Sequence, residues 1–293
     1  VSIVLFIVFS SDILKSFEIL RQLVPLSSGL VVAMLVAVVL QLAGHVVRAY
    51  KMRYILMPVR QGTTKFQFRA LSLGYLFNTV LPLRIGELIR SYVIATGEKT
   101  SWGLSLMLVV FERGIDALFL LVGLVILLGL GWVSWPSIMT MFFLLLVFMA
   151  VVSIGIYATL YEQRYLISLI DKGSNLFNQS IRQGIRFKVW SVIYGLQKTI
   201  TRKRMGPYLL LSLTSWGLYF ASAVVVVAQF GGTVIGAKDM SLISASPYYG
   251  VSIPAGPAGL GAYSAGASAV TEQVRLTHSE RTTLNLTLWA LVV

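Results

Sequence analysis

Asn78-Thr79-Val80-Leu81-Pro82-Leu83-Arg84-Ile85-Gly86-Glu87-Leu88-Ile89-Arg90 is the densest polar cluster in a chain otherwise composed for lipid. Pro82 removes a backbone donor and ends one short helix. Gly86 permits another backbone to come close. Arg84, Glu87 and Arg90 recur at a spacing of three and share one face of a second short helix. The two helices, Phe66 to Val80 and Ile85 to Thr96, are about 22 and 18 Å long at 1.5 Å per residue. Neither crosses about 30 Å of hydrocarbon, so the stretch from about 66 to 97 reads as a re-entrant helical hairpin. Ionisable groups at membrane depth cost several kcal/mol unless paired or hydrated, which implies a water-filled cavity here. Two arginines to one glutamate leave a net positive site suited to gripping phosphate bidentately. The other reading is an interfacial helix whose charges face water.

The surrounding composition sets the solvent. Of 293 residues, 57% are hydrophobic and only 12% charged, and mean hydropathy is +0.82. A soluble domain carries about twice that charged fraction, so the chain is an all-α, polytopic membrane protein. It has no cysteine, which excludes a disulfide scaffold, a thiolate metal site and a cysteine nucleophile. His45 and His278 are the two histidines, too few for a histidine metal cluster, and His45 reads as a packing residue. No nucleophile with its base, phosphate-binding loop or metal constellation is visible, so no metal or cofactor is expected, and a transporter is favoured over an enzyme. The net charge of +13 points to basic loops against anionic lipid rather than to nucleic acid.

Four internal segments have the roughly 20 apolar residues a span requires: about 30 to 47, 103 to 130, 137 to 160 and 207 to 230. Val1 to Phe9 and Leu286 to Val293 read as pieces of longer apolar helices, which makes about six spans in a single domain trimmed at both ends. Charge orients them. Arg48 to Arg69 holds six basic residues and no acid, and Tyr161 to Met205 holds nine against Glu162 and Asp171. Their sums of +6 and +7 make up the whole +13, and the other connections are neutral. The positive-inside rule puts 48–69 and 161–205 in the cytoplasm. Alternation then requires the 66–97 hairpin to enter and leave on the cytoplasmic side.

The same count requires Met240 to Val270, rich in Gly, Ala, Ser and Pro, to be a second hairpin entering from the opposite face. Two broken elements from opposite faces are the pattern of an inverted-repeat transporter with its site near the midplane; two interfacial loops are the alternative. Between the halves, 161–205 carries apolar residues at roughly helical spacing with basic residues between them. It reads as an amphipathic cytoplasmic insertion on the inner leaflet or as ordinary linker helices. Trp132, Trp135, Tyr157, Tyr161, Tyr208 and Trp216 lie near span ends, where interfacial belts are expected.

In the second internal span, Phe111-Glu112-Arg113-Gly114-Ile115-Asp116 sets two carboxylates one helical turn apart with Arg113 beside them. Intramembrane charges mark a functional pathway by default, and a purely structural ion-pair knot holding the hairpin is the other reading. In the second hairpin, Pro254-Ala-Gly-Pro257-Ala258-Gly259-Leu-Gly261-Ala-Tyr263-Ser264 is a breaker-rich turn. Its bare amides can approach a headgroup, or it is a plain loop.

Asn78, Pro82, Arg84, Gly86, Glu87 and Arg90 together resemble the signature of the lysylphosphatidylglycerol synthase/flippase transmembrane family. This is the flippase-like membrane domain of prokaryotes that also occurs in multiple peptide resistance factors. The resemblance extends over nearly the whole chain. Glu112, Arg113 and Asp116 are similar to the family's Glu-Arg-x-x-Asp element. The 254–264 stretch resembles its Pro-x-x-Pro-Gly-Gly-x-Gly-x-x-Glu motif, with Ala258 where Gly is usual and Ser264 where Glu is usual. The second departure removes the carboxylate through which proton coupling at that position would run. The resemblance implies a lipid flippase of the prokaryotic cytoplasmic membrane. Its headgroup site would be built from Asn78, Arg84, Glu87, Arg90, Glu112, Arg113, Asp116, Pro254, Pro257, Gly259, Gly261 and Ser264. Its partners would be anionic membrane lipids, with a partner transferase and a homo-oligomer left open. The alternative is the membrane subunit of a lipid-modifying aminoacyl or glycosyl transferase.

Overall fold

The computed structural model describes residues 28–81, 84–162, 167, 168, 172, 179–230, 236–252 and 288. Among these, eight helices and no strand form: α1 (Ser28–Leu56), α2 (Thr64–Val80), α3 (Ile85–Gly97), α4 (Trp102–Gly129), α5 (Trp135–Leu160), α6 (Gln179–Thr199), α7 (Arg202–Phe230) and α8 (Ala237–Ser252). Three helices are long and apolar enough to cross a membrane, over Val31–Leu56, Ile138–Thr159 and Arg202–Gln229. The 28-residue α4 is as long but carries Glu112, Arg113 and Asp116 at mid-helix. The terminal apolar pieces, Leu288 apart, lie outside the described residues, as does the second hairpin beyond Ser252.

Two short helices follow α1. α2 starts where the Thr63 side chain accepts a hydrogen bond from the Phe66 amide at 3.2 Å, the usual way of satisfying an orphan amide at a helix start. It stops at Val80 because Leu81, the residue before Pro82, is extended, with φ −100° and ψ 142°. A following proline disfavours the helical region for its predecessor. α3 returns alongside α2. Gln67 Nε2 donates to Glu98 Oε1 at 2.9 Å at one end, and Gly74 and Gly86 meet backbone to backbone further along. A Cβ on Gly86 would run into the Gly74 carbonyl and the Asn78 side chain. Trp102 Nε1 then donates to Ser91 Oγ at 2.9 Å and ties the start of α4 to α3.

The chain divides into two compact units. In the one built from 45–124 and 142–215, the core is Met52, Ile55 and Leu56 of α1, Ala70 of α2, Ile94 of α3, Leu104, Leu108 and Phe111 of α4, Leu196 of α6 and Tyr208 of α7. The face that buries this core turns charged one helical turn away on three helices. Lys51 precedes Ile55 on α1, Arg90 precedes Ile94 on α3, and Glu112 follows Leu108 on α4, each pair at the i, i+4 spacing that shares a face. Apolar packing thus sets a pocket of charge at a fixed level.

In the other unit, α1, α7 and α8 meet through small and polar groups. Ser222 Oγ donates to Gln41 Oε1 at 2.9 Å, the Tyr248 hydroxyl donates to the Tyr219 carbonyl, and Trp216 packs edge-on against Tyr248 with ring centroids 5.6 Å apart.

The structure corrects two expectations. α1 does not end near residue 47: it runs to Leu56, so Arg48 and Lys51 are buried helical residues and not part of a basic loop. Tyr208 is not an interfacial residue either, being fully buried beneath Phe111 with 5.4 Å between ring centroids. His45 packs against Tyr75, 5.0 Å between ring centroids.

Replacement of Gly86 by alanine forces the two helices apart, an overpacking cost of about 1–3 kcal/mol. A lower thermal unfolding midpoint for Gly86→Ala in detergent is expected. Gly155→Ala, where an added Cβ meets nothing within 4 Å, should leave the midpoint unchanged or raise it.

Candidate functional site

Glu112 is the centre of the charged pocket. It is fully buried, and its two oxygens serve different helices. Oε1 accepts from Arg48 Nε of α1, and Oε2 accepts from Arg90 Nη2 of α3 at 2.9 Å. Arg48 also donates through Nη2 to Asp116 Oδ2. A single guanidinium therefore clamps two carboxylates one turn apart on α4. Lys51 Nζ stands 3.8 Å from Asp116 and 4.0 Å from Glu112, with the Tyr208 ring centroid 5.2 Å away.

Around this clamp lies a second ring. Arg113 Nε is 3.3 Å from Glu87 Oε1, while Nη1 is 3.4 Å from Asp116 and Nη2 3.6 Å from Glu112. Glu87 also faces Arg90 at 3.8 Å across one turn of α3. The side chains of Arg113 and Glu87 keep 19% and 15% of their surface exposed, whereas Arg90, Lys51 and Glu112 keep at most 1%. The pocket is therefore sealed at Arg90, Lys51 and Glu112, and what little exposure it keeps is on the Glu87–Arg113 side.

Arg84 belongs to the Glu87–Arg113 side but not to the network. It is the cap residue before α3, with the left-handed backbone φ 56°, ψ 37°, a conformation that costs a non-glycine residue about 1 kcal/mol. That geometry takes it off the helical face shared by Glu87 and Arg90. Arg84 lies within electrostatic reach of Arg113, Glu87, Asp116 and Arg48. Among the described residues, no carboxylate comes within ion-pair distance of it. Four cations, Arg48, Lys51, Arg90 and Arg113, already face three carboxylates, Glu87, Glu112 and Asp116. With Arg84 the pocket carries a net charge of +2 from these groups.

Several polar atoms in this pocket are buried without a hydrogen-bond partner: Lys51 Nζ, Arg90 Nε and Nη1, Arg113 Nε and Nη2, Glu87 Oε2 and Asn78 Oδ1. Orphaned polar atoms in an apolar medium cost several kcal/mol each. Their concentration here makes this pocket the candidate site. Among the described residues, no group of three His, Asp or Glu side chains is arranged to hold a metal ion.

Of the residues expected from sequence, Glu87, Arg90, Glu112, Arg113 and Asp116 are brought into one network, Asn78 lies against Gly86, and Arg84 stands beside them. Pro254, Pro257, Gly259, Gly261 and Ser264 lie outside the described residues. Sequence reasoning missed Arg48 and Lys51. The available signal was the lack of any proline or glycine between Gly44 and Pro58, which lets the helix run on through both cations.

Removing one partner of a buried ion pair strands the other charge and costs about 3–5 kcal/mol. Arg48→Ala should therefore sharply lower the thermal midpoint in detergent, whereas Arg84→Ala should leave it nearly unchanged. Equal effects would show that the clamp does not hold the helices together.

Residues 1–280 match the family profile described as the lysylphosphatidylglycerol synthase TM region. The chain belongs to that family and is a membrane protein whose function concerns membrane lipid. No curated protein and no solved structure matches it.

Proposed function

We propose that this member of the lysylphosphatidylglycerol synthase TM-region family is a lipid flippase that moves an anionic headgroup across the prokaryotic cytoplasmic membrane while the acyl tails stay in lipid. The observation that carries the reading is Arg84. It is a cation with no carboxylate partner among the described residues, set beside a pocket whose three carboxylates already face four other cations. A guanidinium takes phosphate through two parallel charge-assisted hydrogen bonds, and an anionic headgroup supplies the missing charge. The left-handed backbone at Arg84 fits this assignment, since strained residues concentrate where ligands bind.

The roles divide accordingly. Arg48 and Arg90 hold Glu112, and so hold α1, α3 and α4 together. Arg113, half-committed to Glu87 and Asp116, is the second cation a headgroup meets. The orphaned atoms of Lys51, Arg90 and Asn78 take water or headgroup hydroxyls. The substrate is an aminoacylated phosphatidylglycerol, another anionic phospholipid or a polyprenyl-linked lipid. In this reading the described helices belong to about six spans, with α2–α3 as a re-entrant hairpin from the cytoplasmic side. A second hairpin carrying Pro254, Pro257, Gly259, Gly261 and Ser264 enters from the other side in an inverted repeat. Single cysteines at Ile85 and Leu260 in this cysteine-free chain should be labelled from opposite faces. Labelling that makes either hairpin a full span would sink the inverted repeat.

The decisive test is transbilayer movement of headgroup-labelled phosphatidylglycerol in proteoliposomes. Loss of a charge-assisted hydrogen-bonded contact costs about 1.5–3 kcal/mol, so Arg84→Ala should slow movement roughly tenfold or more with an unchanged thermal midpoint. Arg84→Lys, which keeps charge but loses the fork, should fall between. A second reading is favoured by the family's description as a synthase region: the chain is the membrane part of a lipid-modifying transferase. It gains if a well-folded protein moves neither phospholipids nor polyprenyl lipids.

A further inference from the structure

We propose that the outer face of α6 is a docking surface for an anionic lipid leaflet, an interaction separate from the charged pocket and independent of whether lipids are translocated. α6 has two faces with different fates. Ile193, Leu196 and Thr199 are buried, Val192 packs where Gly103 leaves room for it, and Gly195 leaves room for Leu104. That face is consumed by the unit's own core. On the other side Phe187, Trp190 and Tyr194 are 77%, 46% and 58% exposed. At about 100° per residue they fall with Lys198 within a sector of about 80°, so they form one stripe along the helix.

The stripe has a basic border. Lys198 Nζ lies 4.5 Å from the Tyr194 ring centroid, and the exposed Arg186 and Lys188 sit on the two shoulders. From Gln179 to Met205 there are seven basic residues and no acid. An aromatic stripe with a basic border is the composition of a helix that lies in the headgroup region of an anionic membrane. The charge attracts the leaflet and the rings enter it. The level is right as well. α6 ends at Thr199, and α7, long and apolar enough to cross a membrane from Arg202 onward, begins three residues later. A helix joined so closely to the end of a span lies at the membrane boundary. A protein partner would need acids to match the same border, whereas an anionic leaflet presents them continuously.

The chain has no cysteine, so Phe187→Cys in the full-length protein can carry a single environment-sensitive fluorophore. It is read in phosphatidylcholine vesicles and in vesicles of phosphatidylcholine with phosphatidylglycerol. The expected result is a blue shift in the anionic vesicles, with several-fold stronger quenching by a lipid-borne spin label and weaker quenching by iodide. The same label in the Arg186→Gln/Lys188→Gln/Lys198→Gln background should lose this dependence while the thermal midpoint stays put, since all three side chains are exposed. Equal quenching in both lipid compositions would overturn the proposal.

Discussion

One carboxylate, Glu112, decides where three helices stand. Its two oxygens are taken by Arg48 of α1 and Arg90 of α3, and it sits on α4 with no exposed surface. A bare carboxylate there would be intolerable in hydrocarbon, so the helices carrying its guanidinium partners cannot drift from it. Asp116 repeats the contact with Arg48 one turn along and sets the rotation of α4 about its axis as well as its position. The apolar core of Ile55, Ile94 and Leu108 lies one turn from Lys51, Arg90 and Glu112 and excludes water from one side of the clamp. The low dielectric that makes the charges costly alone also makes their pairing firm.

The α2–α3 hairpin depends on this anchor. Two helices of 17 and 13 residues bury little surface, and their contact at Gly74 and Gly86 brings two backbones together without large side chains. Such a contact is close but narrow. Arg90 supplies the missing hold, because it lies against Gly74 on one side and binds Glu112 on the other. The hairpin is thus pinned to α4 at its middle, while its turn, with Arg84 at the cap of α3, is not tied by any ion pair among the described residues.

Much of this was legible in the sequence, and the parts that were not share a cause. The hairpin's limits followed from Pro82, which ends α2 by forcing Leu81 extended, and from lengths too short to span. The helical partnership of Glu112, Arg113 and Asp116 followed from one-turn spacing. Arg48 and Lys51 were misread because counting basic residues treats a cationic run as a loop, while a helix without a breaker simply continues through it. Their partners are 64 and 68 residues away for Arg48, beyond any local pattern. Arg84 failed differently: spacing of three assumes the helix has already begun, and the left-handed cap residue lies just outside it.

The two sequence readings of the intramembrane charges, a functional pathway and a structural knot, are compatible once the pocket is divided. Arg48, Lys51 and Arg90 are buried against Glu112 and Asp116 and hold α1 and α3 to α4, which is what a knot requires. Arg84, Arg113 and Glu87 lie on the side that keeps some exposure, where the matching is incomplete. On the flippase reading proposed above, this division suits translocation, since a site must bind strongly enough to draw a headgroup from water and weakly enough to release it. Five unmatched cations would trap a phosphate. One unmatched arginine beside a salt-bridged one offers a single strong contact and a second that must be exchanged with Glu87. On that reading the carboxylates do more than neutralise: by pairing with Arg48 and Arg90, they limit how tightly an anion can be held.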